Sequence, residues 1–148
     1  MRLVLQSLAF LLCLAVPGVA GERLMTITKN AGCGCCDAWA DIARAHGFAV
    51  KVKESEDYEA YKKAHGVPLA VAGCHSARVG GYVVEGHVPM NAIDKLLAER
   101  PDVHGITVPG MPMGSPGMGD DPKAKFVTYT FVADKAGSIR PYVRHGEE

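Results

Sequence analysis

Three cysteines lie within four residues, at Cys33, Cys35 and Cys36, between a short strand-like run and an amphipathic helix pattern. Cys33 and Cys36 have the Cys-x-x-Cys spacing that is typical of redox dithiols. Unsatisfied backbone N–H groups and the helix dipole favour a thiolate at the start of a helix, and therefore lower the pKa of a cysteine there. Asp37 opposes this effect weakly, because its negative charge lies in the same turn. The motif predicts thiolate chemistry, either in a dithiol or at a metal site.

Cys74 adds a fourth thiol close to Pro68, which is more than a dithiol needs. Additional thiols beside a reactive pair would compete for mixed disulfides. Metal binding has a use for all four, because thiolates are soft ligands suited to Cu(I), zinc or iron–sulfur clusters. One tetrahedral ion would be strained by the adjacent Cys35 and Cys36, whereas several ions that share bridging sulfurs would not. Four thiolates also neutralise four monovalent copper ions, so charge balance favours a small polynuclear Cu(I) site.

Imidazole and thioether groups in nearby loops could add to these ligands. His75 follows Cys74 directly and His87 lies in a glycine-led turn, so each is a candidate copper ligand. The alternative is a histidine that bonds only its own loop. Met111 and Met113, together with Met118, lie in a proline- and glycine-rich segment that has little core to fill. We expect a copper-facing or copper-receiving loop there, with core filling as the alternative.

The residues alone leave two other functions open. One is a thiol–disulfide oxidoreductase in which Cys33 attacks and Cys36 resolves, active without metal and unaffected by Cys74→Ser. The other is a structural zinc module that binds one zinc ion per chain. Copper is favoured because it alone gives Cys35, Cys74 and the methionines a role.

Hydrophobic periodicity predicts an α/β protein with a small mixed sheet. The elements expected between residues 24 and 100 are strands at Leu24–Thr28, Phe48–Val52 and Tyr82–Val84 and helices from Asp37 to about His46, over Glu54–Ala64 and from Asn91 to about Arg100. A brief apolar run at 69–72, which is the third strand of the expected order, leads into Cys74. The order β-α-β-α-β-β-α is that of a thioredoxin-like sheet flanked by helices on both sides.

Proline and glycine mark the remaining features. In thioredoxin-like folds a proline after the second helix adopts a cis bond and faces the dithiol, so we expect a cis bond between Val67 and Pro68. Residues 105–122 are rich in glycine, proline and methionine and are expected to form a loop. Two strand-like runs at 126–132 and 138–143 predict a C-terminal β-hairpin.

Residues 1–20 have the form of a secretion signal that is cleaved after Ala20. Arg2 gives a positive start, and the apolar run at 3–16 is shorter than the about 20 residues that span a bilayer, so a retained membrane anchor is the weaker alternative. Cys13 would be lost with this segment. Residues 21–148 are then expected to form a single thioredoxin-like metal-binding domain with no membrane span. The net charge of zero gives no indication of nucleic-acid binding.

Five ordered motifs between Leu24 and Met118 resemble those of a bacterial family of exported copper-resistance proteins called CopG. The motifs are Cys-Gly-Cys-Cys at 33–36, Gly-Val-Pro at 66–68, Cys-His-Ser-Ala at 74–77, Gly-Tyr-Val-Val-Glu-Gly-His-Val-Pro at 81–89 and Val-Pro-Gly-Met-Pro-Met-Gly-Ser-Pro-Gly-Met at 108–118. The family pattern often has threonine where this chain has Ser76, a change that keeps the hydroxyl. The segment after Asp120 lies outside the strong match.

The resemblance implies a thioredoxin-like periplasmic protein that holds a cysteine-bridged multinuclear copper cluster and interconverts Cu(I) and Cu(II) during copper detoxification. It leaves open whether the chain is an enzyme, a copper oxidoreductase. The expected partners are copper ions and periplasmic copper efflux or chaperone proteins. By this resemblance the bridging thiolates are Cys33, Cys35, Cys36 and Cys74, and the further candidates are His75, His87, Met111 and Met113.

Overall fold

The structure is a computed structural model and describes residues 23–146. The expected signal peptide, its cleavage site and Cys13 lie outside the described residues, so the signal and the domain boundaries stay predictions. Within the described part of the chain, no helix is both long enough and apolar enough to cross a membrane.

A seven-stranded mixed sheet forms the framework of the protein. In chain order its strands are β1 Leu24–Lys29, β2 Ala49–Glu54, β3 His75–Val79, β4 Tyr82–Glu85, β5 Gly105–Thr107, β6 Phe126–Val132 and β7 Lys135–His145. Their order across the sheet is β2-β1-β3-β4-β5-β6-β7. The pairs β1–β2 and β4–β5 are parallel and the other neighbours are antiparallel. The α/β class and the C-terminal hairpin, β6–β7, are confirmed.

Three helices lie on the two faces of this sheet: α1 Gly34–Ala45, α2 Tyr58–Ala64 and α3 Met90–Glu99. Alternate residues of a strand point to opposite faces. Met25 and Ile27 of β1 belong to the main core together with the apolar stripes of α1 and α3. On the opposite face the hydroxyl of Tyr58 in α2 lies 3.0 Å from that of Ser76 in β3. Helices therefore cover both sides, as the element order predicts, while the thioredoxin-like assignment stays a prediction.

The first helix begins within the cysteine motif, after a short loop that follows β1. Cys33 is the residue that precedes α1, and no side chain caps the helix there. The face of α1 that carries Trp39, Ala40 and Ala43 is fully buried in the core. Burial of this stripe fixes the rotation of the helix, and thereby the direction in which its first turn presents the cysteines.

Two sequence-based expectations are wrong. The bond between Val67 and Pro68 is trans, since the described residues contain no cis peptide bond. Pro68 has an extended backbone and begins one turn of 3-10 helix at Leu69–Val71, a geometry that the favoured trans isomer satisfies. Residues 105–122 are not loop throughout, because Gly105–Thr107 is a strand between β4 and β6. A strand of three residues is too short to show hydrophobic alternation in the sequence. It forms because it pairs with β4 and β6, which are distant in the chain.

Other elements differ from the expected ones at their ends. α2 begins at Tyr58 rather than Glu54, because β2 runs through Glu54 and the Asp57 side chain accepts a hydrogen bond from the Ala60 N–H, at 2.9 Å. The apolar run at 69–72 precedes β3 and does not form it.

Candidate metal centre

The cysteine motif occupies the N-terminal end of α1. Cys35 and Cys36 lie in the first turn, where the first N–H groups of a helix have no intrahelical partner. Cys36 is fully buried, whereas Cys33 and Cys35 are half-buried. The motif therefore lies at the start of α1, which begins at Gly34 within the motif rather than at Asp37 as expected from the sequence.

Cys74 joins these three cysteines from the segment before β3. Its Sγ lies 3.4 Å from that of Cys36 and 4.0 Å from that of Cys35. Cys33 and Cys35 are also neighbours, with 3.6 Å between their sulfurs. All four sulfur atoms lie within 4.8 Å of one another. Residues 33–36 and residue 74 are thus brought to one place, which is the arrangement that a thiolate-bridged site needs.

Cys33 and Cys36 form a disulfide, with an S–S distance of 1.98 Å. Cys35 and Cys74 are free thiols. In this state two of the four sulfurs are already bonded to each other and cannot both act as thiolate ligands. A site that uses all four cysteines therefore requires this disulfide to be reduced first.

A second group of ligand atoms shares Cys74 with the first. His87 Nε2 lies 2.9 Å and His75 Nδ1 3.5 Å from the Cys74 sulfur, and the three ligand atoms lie within 4.8 Å of one another. His87 Nδ1 faces the carbonyl oxygen of Pro116 at 2.7 Å. Because a carbonyl only accepts, Nδ1 carries the proton and Nε2 directs its lone pair toward Cys74. A histidine held in this way through its second nitrogen is the common arrangement among metal ligands.

The electrostatics of this group favour neutral side chains in the metal-free protein. Burial, followed by the neighbouring His87 and then Lys62, lowers the pKa of His75 to about 3. Burial also lowers the pKa of His87, against the hydrogen bond to Pro116, which raises it. Burial and the adjacent Cys35 raise the pKa of the Cys74 thiol to about 12. Both imidazoles are therefore available as neutral ligands at pH 7, while Cys74 must lose a proton to become one.

His75 is the more deeply buried of the two histidines. It has no exposed surface, and its ring lies 4.5 Å from that of Trp39 between centroids. Its Nε2 atom is buried without a hydrogen-bond partner among the described residues. A buried polar atom of this kind has a free-energy cost, so a functional reason for the histidine is expected.

The methionine-rich segment reaches the site through its backbone. Pro116 provides the carbonyl that orients His87, and Gly117 packs so closely that an added Cβ would lie 2.8 Å from the Cys35 carbonyl oxygen. Met111 and Met113 are 52% and 63% exposed. Their role as copper ligands stays a prediction, and the structure shows instead that the segment covers His87 and the first turn of α1.

Lys29 is a residue near the motif that the sequence reading did not single out. It is the last residue of β1, its side chain is 4% exposed, and its ammonium lies 3.1 Å from Asp37 and 3.2 Å from Glu54. The pairing offsets the negative charge of Asp37, which the sequence reading counted against a thiolate. Only the position of lysine directly before the cysteine loop could have indicated this role.

A polar network on the other side of Cys74 was also missed. Glu85 has no exposed surface and lies 3.4 Å from the Lys62 ammonium. Its two oxygens accept hydrogen bonds from the Gly73 N–H, at 2.7 Å, and from the Ser76 hydroxyl. Burial raises the pKa of Glu85, against the hydrogen bonds and the Lys62 charge, which lower it. Both bonds are made to residues that flank Cys74 in the chain.

Comparisons with known proteins identify the family of the chain. A family model described as "Protein of unknown function, DUF411" matches residues 71–118, which contain Cys74, both histidines and the methionine segment. No curated protein matches the chain. A solved structure named "Copper resistance protein copG- Form 2" is 35% identical, and the match covers 82% of this chain and 97% of that chain with a TM-score of 0.75. "Copper resistance protein copG- Form 1" is 36% identical over 80% of this chain and 96% of that one, with a TM-score of 0.72. At this identity and coverage, the chain belongs to the CopG family of copper resistance proteins.

Proposed function

We propose that the chain is an exported, periplasmic copper-binding protein of copper resistance that holds Cu(I) in a multinuclear site. The bridging ligands are Cys33, Cys35, Cys36 and Cys74. The observation that carries this proposal is the convergence of the four sulfur atoms within 4.8 Å of one another. Thiolates at such spacing can each contact more than one ion, and soft sulfur ligands favour Cu(I).

The two histidines support copper over a purely sulfur-binding ion. Imidazole is a good ligand for copper, and His75 and His87 both face the Cys74 sulfur in their neutral forms. Cys74 then serves as the ligand shared between the sulfur group and the imidazole group. Zinc, the ion of the third hypothesis, would leave part of this donor set without a role, because one tetrahedral ion takes four ligands.

The Cys33–Cys36 disulfide supports a redox role for the site. When the two thiolates form the S–S bond they lose two electrons, which reduce two Cu(II) ions to two Cu(I) ions. An external dithiol that reduces the disulfide returns both thiolates to the site. The redox state of Cys33 and Cys36 therefore determines both how many thiolates can bind copper and whether electrons are available to reduce Cu(II).

The methionine segment supports an exchange of copper with other proteins. Thioether sulfur binds Cu(I) but not hard cations, and exposed Met111 and Met113 are accessible to a partner. We propose that periplasmic copper efflux or chaperone proteins deliver or receive copper at this segment, which also holds His87 in place.

The experiment is an anaerobic Cu(I) titration of the reduced mature chain against a chromogenic chelator, with elemental analysis. We expect more than one Cu(I) per chain in the unmodified protein and a sharp loss in Cys35→Ser and Cys74→Ser. His46→Gln is the matched control, since His46 is exposed and its ring bonds Asp94, away from the cysteines. Unchanged stoichiometry in both serine variants would show that the four-thiolate site is wrong.

X-ray absorption at the copper edge tests the multinuclear part of the proposal. Sulfur-rich coordination with short copper–copper vectors is expected. Coordination by nitrogen and oxygen alone would contradict a cysteine-bridged cluster, and sulfur coordination without any copper–copper vector would restrict the site to single ions.

The second candidate function is a thiol–disulfide oxidoreductase, and the disulfide at the start of α1 is the observation that favours it. Cys33 is half-buried and Cys36 fully buried, so Cys33 is the sulfur that a thiol can reach. This function predicts that the metal-free chain, once an external dithiol has reduced its Cys33–Cys36 disulfide, reduces a disulfide substrate, an activity retained in Cys74→Ser and lost in Cys33→Ser. Metal-free protein that fails to reduce the substrate would exclude it.

A further inference from the structure

The backbone of Gly73, the residue before Cys74, is held at its N–H and at its carbonyl oxygen by two charged side chains. The N–H of Gly73 donates to Glu85 Oε1 at 2.7 Å, and the Lys62 ammonium donates to the Gly73 carbonyl oxygen. The two side chains come from different elements, Lys62 from α2 and Glu85 from β4, and their charged atoms lie 3.4 Å apart. Both are buried, Lys62 with 8% and Glu85 with 0% of its surface exposed.

A buried ion pair is not explained by stability alone. Removing two charges from water has a large desolvation cost, and well-packed apolar residues often give equal or greater stability. Here the pair is bonded to the segment from Gly73 to Ser76. The second oxygen of Glu85 accepts a hydrogen bond from the Ser76 hydroxyl, which lies 3.0 Å from the Tyr58 hydroxyl. A network in which each member is satisfied gives rigidity to the segment it surrounds.

That segment carries the sulfur on which both groups of ligand atoms depend. Cys74 has to lie within reach of Cys35 and Cys36 on α1 and of His87 after β4, at 4.0, 3.4 and 2.9 Å. A change in the backbone conformation at Gly73 would carry the thiol away from these partners. Gly73 also packs against Gly86, where an added Cβ would lie 2.5 Å from the Gly86 Cα, so the strand end before His87 is part of the same contact.

We propose that Lys62 and Glu85 are positioning residues for Cys74, which hold the backbone of Gly73 so that one thiol serves both the cysteine group and His87. The inference rests on the proposed copper site for its purpose. The effect of Lys62 and Glu85 on the position of the Cys74 thiol can be measured without copper.

The test measures how fast iodoacetamide alkylates Cys74 relative to Cys35 in the metal-free chain with its disulfide intact, by peptide mass spectrometry. In Lys62→Met and in Glu85→Gln we expect the Cys74-to-Cys35 ratio to rise by about tenfold, because local opening exposes the thiol. Ile93→Val on α3 is the control for a general loss of stability and should leave the ratio unchanged. Ratios within twofold of the unmodified protein in both charge variants would overturn the proposal.

The double variant Lys62→Met/Glu85→Gln separates positioning from charge balance. It contains no unpaired buried charge, so its urea midpoint is expected to recover toward that of the unmodified protein. The bond from residue 62 to the Gly73 carbonyl stays absent, so alkylation of Cys74 should remain fast. Recovery of both quantities together would mean that the pair serves only the stability of the fold.

Two further measurements keep the outcomes distinct. Hydrogen exchange of the Gly73 amide in the unmodified protein should be as slow as that of the β3 amides, and a freely exchanging amide contradicts the proposal even if the variants do not fold. In the reduced protein, Lys62→Met should bind Cu(I) at the level of Cys74→Ser. If the unmodified chain bound no Cu(I), the proposed function would fail while the alkylation and exchange results would still decide the role of Lys62 and Glu85.

Discussion

Cys74 is the residue at which the two groups of ligand atoms meet. Its sulfur contacts the cysteines of α1 on one side and two imidazoles on the other. Burial and the nearby Cys35 keep it protonated in the metal-free chain by raising the pKa of its thiol. Binding of a metal ion must therefore release this proton, which makes affinity rise with pH until the thiol ionises by itself.

His75 should make stability depend on pH. Its pKa is about 3 in the folded chain against about 6.5 when exposed, so the unfolded chain binds more protons between these values. The folded state is favoured fully while His75 is neutral in both states, above pH 6.5, and it loses free energy of unfolding as pH falls toward 3. Between pH 6.5 and 5 the loss from this residue is about 1.5 kcal/mol. Urea unfolding of the metal-free protein at several pH values measures it.

His75→Phe is the matched variant, because phenylalanine keeps an aromatic ring beside Trp39 and has nothing to titrate. The variant should lose about 1.5 kcal/mol less than the unmodified protein over the same pH range, while His87, whose pKa is also lowered, contributes equally to both. Identical pH profiles for the two proteins would contradict a buried neutral His75.

At the scale of residues, the sequence revealed the candidate ligands that lie close to one another in the chain. Four cysteines and two histidines could be singled out because their types and short spacings are visible in the chain, and the structure brings all six together in two overlapping groups. Lys62 and Glu85 could not be found in that way. Their contacts with Gly73 span 11 and 12 residues, and a lysine on a polar helix resembles any surface lysine until the sheet it packs on is known.

At the scale of elements, the site is assembled from the start of α1, the segment before β3, the turn after β4 and the loop that follows β5. The order of strands, helices and the C-terminal hairpin could be predicted from hydrophobic periodicity and turn residues. β5 could not, since three residues show no period and its strand geometry depends on β4 and β6. The approach of the methionine segment to α1 is likewise a long-range contact.

Gly117 should be a position at which this loop does not tolerate a side chain. It has φ +84°, and an added Cβ would lie 2.8 Å from the Cys35 carbonyl oxygen and 3.0 Å from the Trp39 nitrogen, both backbone atoms. Gly117→Ala should lower the free energy of unfolding by about 1–3 kcal/mol, through strain and displacement of the loop. The displacement should also weaken Cu(I) binding, because neighbouring Pro116 orients His87.

Gly110→Ala provides the control within the same loop. Gly110 has a similar φ, +70°, but no atom lies within 4 Å of the position of an added Cβ. The control should show the cost of the backbone conformation without the clash, and its Cu(I) affinity should be that of the unmodified protein. Equal effects of the two substitutions on Cu(I) affinity, measured by chelator competition, would mean that contact with α1 does not matter to the site.

At the scale of the whole molecule, two hydrophobic clusters stabilise the sheet, and only the larger one contacts a candidate metal ligand. The larger one includes Trp39, which contacts the His75 ring and donates a hydrogen bond to the Val88 carbonyl at 2.9 Å. The smaller one consists of Val67, Val83 and Phe131, with Ile139 packed against it. None of its members is a candidate ligand, so Phe131 contributes to the stability of the sheet and not to the candidate metal centre.

This division predicts different outcomes for substitutions at the two largest fully buried side chains, Trp39 and Phe131. Phe131→Leu should lower the free energy of unfolding by about 1–2 kcal/mol and leave Cu(I) bound per folded chain unchanged. Trp39→Phe removes the hydrogen bond to Val88, next to His87, as well as part of the contact with His75, so it should lower both stability and Cu(I) affinity. Urea unfolding and chelator competition on the same samples separate the two quantities. If the fully folded Phe131→Leu variant bound less Cu(I), the smaller hydrophobic cluster and the candidate metal centre would be coupled. The contacts of Phe131 do not predict this coupling.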